Sequence, residues 1–465
     1  VIAMTDVLLN QAERERRAAR AREMMPRLHE RGVVAVAATW VDNSGVTRVK
    51  AVPLPRLEHA AAWGIGASPV FDAFLTDDSI VPGRFAGGPI GDLRLHPDLN
   101  RLVVLDQQPG WGWAPADRFT QEGIEHPLDQ RSLARRAVVA LAERGLTAQA
   151  AFEIEWSVSI PGERFVPAVH GPAYGYTRIV ERSDYLRDLL IALERQGVVV
   201  EQIHPEYASG QYELSVAVDD PVGAADTLVL VRETIRACSG RHDLAASFSP
   251  KIEVNGAGNG GHIHLSLWRD GSNRFAGGTQ PFGLTDEAAA FTAGILHRLP
   301  ALLAIGAPSP ASYLRLIPQH WAGAFQAWGL ENRETALRVV RGSTGSEGRA
   351  ANLEIKAFDL AANPYLVVAA LIFAGLAGID GAATLPDPVD VDPASLSEQE
   401  RAARGIVALP GDLLAATEAF QADEALSAGF GPEFAATIVD VRRGEAARFA
   451  DASPDSIVTG VLWKF

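Results

Sequence analysis

Residues 151–160, AFEIEWSVSI, decide the fold, together with 211–218, QYELSVAV, and 262–268, HIHLSLW. All three alternate with a period of two, as strands do when their two faces meet different surroundings. Helical periodicity appears at 183–196, 222–238, 285–304, 361–379 and 411–423, so strands alternate with helices and predict a catalytic α/β region. Residues 384–403 are predicted as an acidic, proline-punctuated loop. A further helix is predicted over 131–144, stopped by Gly145, after a polar loop at 119–130.

Upstream of that loop the pattern changes. Residues 5–31 place Leu8, Ala12, Ala19, Met24 and Leu28 among dense Arg and Glu, the pattern of a surface helix. Residues 33–53, VVAVAATWVDNSGVTRVKAVP, predict two strands around an Asn43-Ser44-Gly45 turn, and 81–118 predict loops with short strands. The division drawn from this is a small domain over 1–118 and a catalytic domain over 119–465.

Composition narrows the function. The 465 residues are 47% hydrophobic and 21% charged, which fits a globular protein with a large core. Forty-two basic and 57 acidic residues leave a net charge of −15, a poor match for nucleic acid, so no such partner is expected. One cysteine, Cys238, excludes an intramolecular disulfide and points to a reducing cytoplasm. The apolar run at 366–378, LVVAALIFAGLAG, is too short to span a bilayer, and no membrane partner is expected.

The strands carry acids and histidines on common faces. In FEIEW, Glu153 and Glu155 are two apart, and in HIHLSL so are His262 and His264. Glu206 and Glu213 sit in HPEYASGQYELSV, and Glu354 in the apolar run ANLEIKAFDL. Any one pair alone reads better as surface charge on an exposed strand. Jointly, buried acids need cations, and an oxygen-dominated set with one histidine favours Mg²⁺ or Mn²⁺ over zinc. Arg315, Arg333 and Arg338 supply guanidinium groups suited to phosphoryl or carboxylate groups. No GxxxxGK[ST] loop occurs, and the glycine-rich 256–261 stretch leads into a strand rather than a helix.

In order, these segments resemble the glutamine synthetase family. FEIEW resembles its E-x-E-F strand, HPEYASGQYE its H-H-E-V-A-x-G-Q-x-E segment, and PKIEVNGAGNGGHIHLSL its P-K-P…N-G-S-G-M-H-x-H-x-S-L segment. SYLRLIPQHWAGA resembles S-Y-K-R-L-V-P-G-Y-E-A-P, NRETALR resembles N-R-S-A-S-I-R, and LEIKAFDLAANPYL resembles I-E-V-R-x-P-D-x-A-A-N-P-Y-L. The resemblance implies an α+β chain: a small β-grasp-like N-terminal domain that completes a neighbour's active site, and a large domain with a hairpin-built barrel. It implies two metal sites, one of Glu155, Glu206 and Glu213, the other of Glu153, His262 and Glu354. It places Glu201, His264 and Ser266 on nucleotide, Arg315, Lys356 and Gly258 on glutamate, and Arg333 and Arg338 on phosphate. ATP, paired divalent ions and a homododecamer of two stacked rings follow from the same resemblance.

Departures from the family pattern bear on the nitrogen donor. Trp321 stands where ammonium-using members carry a glutamate, and the loop GIGASPVFDAF offers only Ser68 near the ammonium-site aspartate. An indole is neither base nor anion, but it covers an alkyl chain and faces a cation through its π surface. The expected activity is therefore ATP-dependent ligation of glutamate to an organic primary amine, such as ethanolamine, an alkyl or aromatic monoamine, or a polyamine. Few added acids accompany these segments, which ranks monoamines above polyamines. The rivals are a true glutamine synthetase using ammonium and a silent structural or regulatory member. His320 is a candidate acceptor for the amine proton, with a structural histidine as the blander reading, and Tyr176 a candidate for the amine pocket, with a core tyrosine as its counterpart. Ala257 replaces an asparagine and Lys356 an arginine, a change that loses the bidentate fork.

Overall fold

The computed structural model describes residues 8–465. The N-terminal sheet contains β1 (Ala35–Val41), β2 (Thr47–Pro53), β3 (Ile65–Ala67), β4 (Leu93–Pro97), β5 (Val103–Val104) and β6 (Trp111–Thr120). Its order is β2-β1-β6-β4-β3, with β1 parallel to β6 and the other pairs antiparallel. The first helix runs from Gln11 to Glu30, capped by the Asn10 side chain, and buries Ala21 and Leu28 over this sheet. Of the expected helix over 5–31, residues 5–7 lie outside the described residues. Leu8 stands before the helix, in an isolated bridge with Ile124.

A second, ten-stranded sheet curls into a half-barrel. It holds β7 (Thr147–Ser159), β8 (Val200–Pro205), β9 (Gln211–Val216), β10 (Ala245–Ser247), β11 (Ile263–Arg269), β12 (Ser272–Asn273), β13 (Phe325–Leu330), β14 (Thr335–Val340), β15 (Asn352–Ile355) and β16 (Val407–Ala408). The main path is β16-β13-β14-β15-β11-β7-β9-β8. Alternation puts Ile154, Trp156 and Val158 in the core, and helices Gln130–Ala142, Pro221–Arg241, Asp286–Gly306 and Pro364–Asp380 contribute to the same core.

Most expected helices are present, with small shifts at their ends. Residues 384–403 contain short helical turns at Pro393–Ser395 and Glu398–Ala403. The sequence reading missed Pro432–Arg448, which has apolar residues on several sides and no clean stripe. The helix predicted over 285–304 is present. Asp286–Gly306 is long and apolar enough by length and composition to cross a membrane, yet 78% of that stretch is buried inside the molecule. Burial on nearly every side, against Pro364–Asp380 among others, explains its composition.

The β1–β2 turn ties the two sheets' regions together. Gly45 has φ +82°, and a Cβ there would stand 1.9 Å from the Ala361 carbonyl oxygen. Asn363 donates to the Val41 and Asp42 carbonyls, and Arg442 donates to that of Asn43. Beside this turn lie two buried ionic networks. Arg118 donates to Asp72 at 2.7 Å and Asp129 at 2.9 Å, and His126 lies 2.9 Å from Asp72. Arg131 donates to Asp98, Asp117 and Asp226, the last of which also accepts from Tyr365.

Candidate active site

Strand register brings the acids together. Glu155 on β7 pairs with Glu213 on β9, which pairs with His204 on β8. Arg338 on β14 pairs with Glu354 on β15, and Glu354 with His264 on β11. Residues directly opposite in a ladder share a face, so one concave face collects side chains from six strands.

Two groups of ligand atoms converge there. Glu153, His264 and Glu354 form one; His204, Glu206 and Glu213 form the other. His264 Nε2 is 3.1 Å from Glu153, and it is buried without a hydrogen bond. His262 approaches the same carboxylates through Nδ1, 3.0 Å from Glu153 and 3.5 Å from Glu354. Its Nε2 faces Arg315 at 3.3 Å and Glu155 at 3.9 Å. Buried carboxylates beside an imidazole nitrogen with no hydrogen-bond partner are a donor set that suits a divalent cation.

The electrostatics carry the same signature. Burial and the neighbouring Glu206 push Glu155 up to about 7. Glu213 draws a proton onto His204, raising it to about 9. Burial works against charge on His264, but Glu153 outweighs it and raises that imidazole to about 9. Burial also opposes ionisation of Glu354, yet Lys356 beside it holds the carboxyl down near about 2. The glutamates of this cup outnumber its fixed cations, and His204 and His264 take up protons in their place.

Cationic groups close one end. Arg338 donates to Glu354 at 2.9 Å, and Lys356 Nζ lies 3.0 Å from the same carboxylate. Arg315 donates to the Lys356 carbonyl, while its Nη1 is buried with no hydrogen-bond partner. The glycine-rich 256–261 stretch lies against these groups. A Cβ on Gly258 would meet Arg315 Cγ at 2.6 Å, and one on Gly260 would meet His262 Nε2 at 2.5 Å. Gly260 N also donates to Glu155.

Other expected residues lie at the rim or elsewhere. Ser266 is buried on the His264 face and accepts from Trp268 Nε1. Glu201 is exposed at a register shift of β8. Trp321 is 56% exposed, with the Arg333 guanidinium 5.9 Å from its ring centre. His320 is exposed and contacts the Pro318 carbonyl through Nδ1 at 3.0 Å. Ser68 caps the short turn Pro69–Ala73 beside the N-terminal sheet and accepts there from Val70. Tyr176 is 76% exposed on the helix Tyr176–Glu181. The tyrosine that reaches the cup is Tyr174, whose hydroxyl donates to Glu206 at 2.9 Å. Its φ of 55° aims it there, and no periodicity signals such a turn. His204 and Gln211 were also missed; Gln211 donates to Glu155 and the Gly258 carbonyl. Both sit inside the HPEYASGQYE segment, where they alternate in step with Glu206 and Glu213.

Comparison with known proteins agrees with this geometry. Residues 127–458 match the glutamine synthetase catalytic domain. The γ-glutamylpolyamine synthetase GlnA3 of Streptomyces coelicolor is 53% identical over 450 residues, covering 96% of this chain and 97% of the relative. The glutamine synthetase of Methanocaldococcus jannaschii is 32% identical, covering 82% of this chain and 84% of the relative. Among solved structures, a novel glutamine synthase homolog superposes with a TM-score of 0.83 at 33% identity, covering 93% of this chain and 99% of that one. Apo GmaS gives 0.81 at 28% identity, covering 92% and 97%. Members of that family use ATP and divalent metal ions. On its catalytic-domain match, its relatives and its fold, the chain belongs to the glutamine synthetase family and is an ATP-dependent ligase.

Proposed function

We propose that the chain transfers the ATP γ-phosphoryl group to the γ-carboxylate of glutamate and lets an organic primary amine displace phosphate, giving a γ-glutamylamide. The observation that carries this reading is a cup of buried carboxylates and histidines that lacks the acid expected at 321 and has an indole there instead. Divalent ions, when bound, offset charge on the phosphoryl group and orient it. Glu155, Glu206 and Glu213, with His204 beside them, would hold one ion. Glu153, His262, His264 and Glu354 would hold the other, with Mg²⁺ or Mn²⁺ suited to these oxygen-rich sets.

The chain's own groups do the rest. Arg315 offers its free Nη1 to a glutamate carboxylate, beside Gly258 and Lys356. Arg338 and Arg333 stabilise transferred charge, as guanidinium groups do in phosphoryl transfer. An alkylammonium has a pKa of about 10.4 and must lose a proton before attack. His320 would take that proton: a carbonyl facing Nδ1 makes that nitrogen the donor and leaves Nε2 as an acceptor, which supports the reading. Nucleotide would lie along Ser266, His264 and Glu201.

That GlnA3 is a γ-glutamylpolyamine synthetase favours a polyamine over the monoamines ranked first from sequence. The division at 118/119 and a dodecamer in which Ser68 reaches a neighbour's cup remain part of the same proposal. A cytoplasmic location fits the single, buried cysteine.

The test is a panel of ammonium, ethanolamine, alkylamines and polyamines, with phosphate release measured and products weighed by mass spectrometry. An organic amine is expected to exceed ammonium in kcat/KM; preference for ammonium overturns the proposal.

A further inference from the structure

The segment after Arg315 is bent by three residues with left-handed backbone, Gln319, Trp321 and Gly323. It rests directly on the site: a Cβ on Gly323 would meet Ala336 Cα at 2.7 Å and Lys356 Cβ at 3.3 Å. Glu334 clamps it, its carboxylate accepting from Trp321 N at 2.9 Å and Gln319 N at 3.2 Å. The backbone that carries the indole at 321 is thus held by a carboxylate supplied from 13 residues downstream. The family segment N-R-S-A-S-I-R has serine where this chain has Glu334.

Glu334 is only 8% exposed. Among the described residues no lysine, arginine or histidine forms an ion pair with it, since neighbouring Arg333 turns instead to the Trp321 ring. Two backbone N–H groups leave about half of a carboxylate's acceptor sites unused. A buried anion without a counter-charge favours a cation that can reach it. The exposed indole beside it supplies the other half of an alkylammonium site, a π face over which methylenes and a cationic head both bind well.

Resting on the amine-ligase reading, we propose that Glu334 and Trp321 form the subsite for the remote ammonium of an α,ω-diamine or polyamine, whose other nitrogen reacts in the cup. Glu334 lies just before β14, four residues ahead of Arg338 in the cup. A substrate with a second nitrogen offers a cation to both places; ammonium and monoamines do not. Glu334 is then a determinant of specificity, not of the chemical step.

The experiment compares 1,4-diaminobutane, longer polyamines, n-butylamine and 4-amino-1-butanol on the wild-type enzyme and on Glu334→Gln and Glu334→Asp. Wild type is expected to favour a diamine or polyamine over both monoamines by at least tenfold in kcat/KM, mainly through KM, with the preference shrinking as salt is added. Glu334→Gln is expected to reduce that ratio about tenfold or more, and Glu334→Asp to retain part of it. Equal losses for all amines, with a lowered melting temperature, would reduce Glu334 to a loop anchor and overturn the subsite. If Glu334→Gln does not fold, the wild-type series decides: no preference for a charged terminus rejects the proposal. Turnover with ammonium alone would instead reject the ligase reading beneath it, a separate outcome.

Discussion

Beside the β1–β2 turn, every aspartate around Arg118 and Arg131 is ion-paired to an arginine; in the cup, Glu153, Glu155, Glu206 and Glu213 have only histidines as ion-pair partners among the described residues. Both regions are buried, but their chemistry differs. In the first, each carboxylate meets an arginine, and Asp72 and Asp117 are held below the usual carboxylate range by their arginines despite burial. In the second, burial and mutual repulsion push Glu155 up, and His204 and His264 take on protons. Arginine-paired networks hold elements together; buried carboxylates left to histidines cost stability unless a cation offsets them. The contrast separates architecture from function without reference to any relative.

The most sensitive way to break the comparison is to remove one acid of the cup. Glu153→Gln is expected to lower kcat at least a thousandfold while leaving the fold intact, and Glu155→Gln to raise the melting temperature measured in chelator. Added Mg²⁺ is expected to raise the wild-type melting temperature through preferential binding to the folded state, and to raise the Glu155→Gln value less. A melting temperature that falls in chelator for either variant would place these acids with the structural networks.

Arg118→Ala should do the reverse. It strands two buried aspartates, a loss of about 3–5 kcal/mol for a broken buried pair, to be read by denaturant unfolding. Retention of full stability would remove the distinction between the regions. A smaller effect concerns acid. Asp117 has a depressed carboxyl in the folded chain, so its contribution is complete above the ordinary carboxylate range and is lost as pH falls through and below it. Between pH 5 and pH 3 wild type is expected to lose stability more steeply than Asp117→Asn, as urea titrations would show; parallel slopes would deny Asp117 that role.

The strands bearing Glu153, Glu155, Glu213, His262 and His264 were legible because period-two alternation assigns both an element and a face. Glu354 and Arg315 were found through ordered motifs, and the glycine-rich stretch announced a close approach to the cup. Tyr174, two residues before Tyr176, was not singled out, since a left-handed turn leaves no periodic trace. Glu334 escaped notice altogether: no acid neighbours Trp321 in sequence, and only the bend at 319–323 brings one there.

By itself, the sequence determined which strands exist, which of their faces carry acids, and that an indole had replaced a carboxylate at 321. Tertiary structure alone decided which acids converge, which histidine nitrogen is left without a hydrogen-bond partner, and that Glu334 holds the backbone at Trp321. The physical reason is one of range. Alternation and turn chemistry act over a few residues, whereas charge balance depends on distances of a few ångströms between strands that lie far apart along the chain.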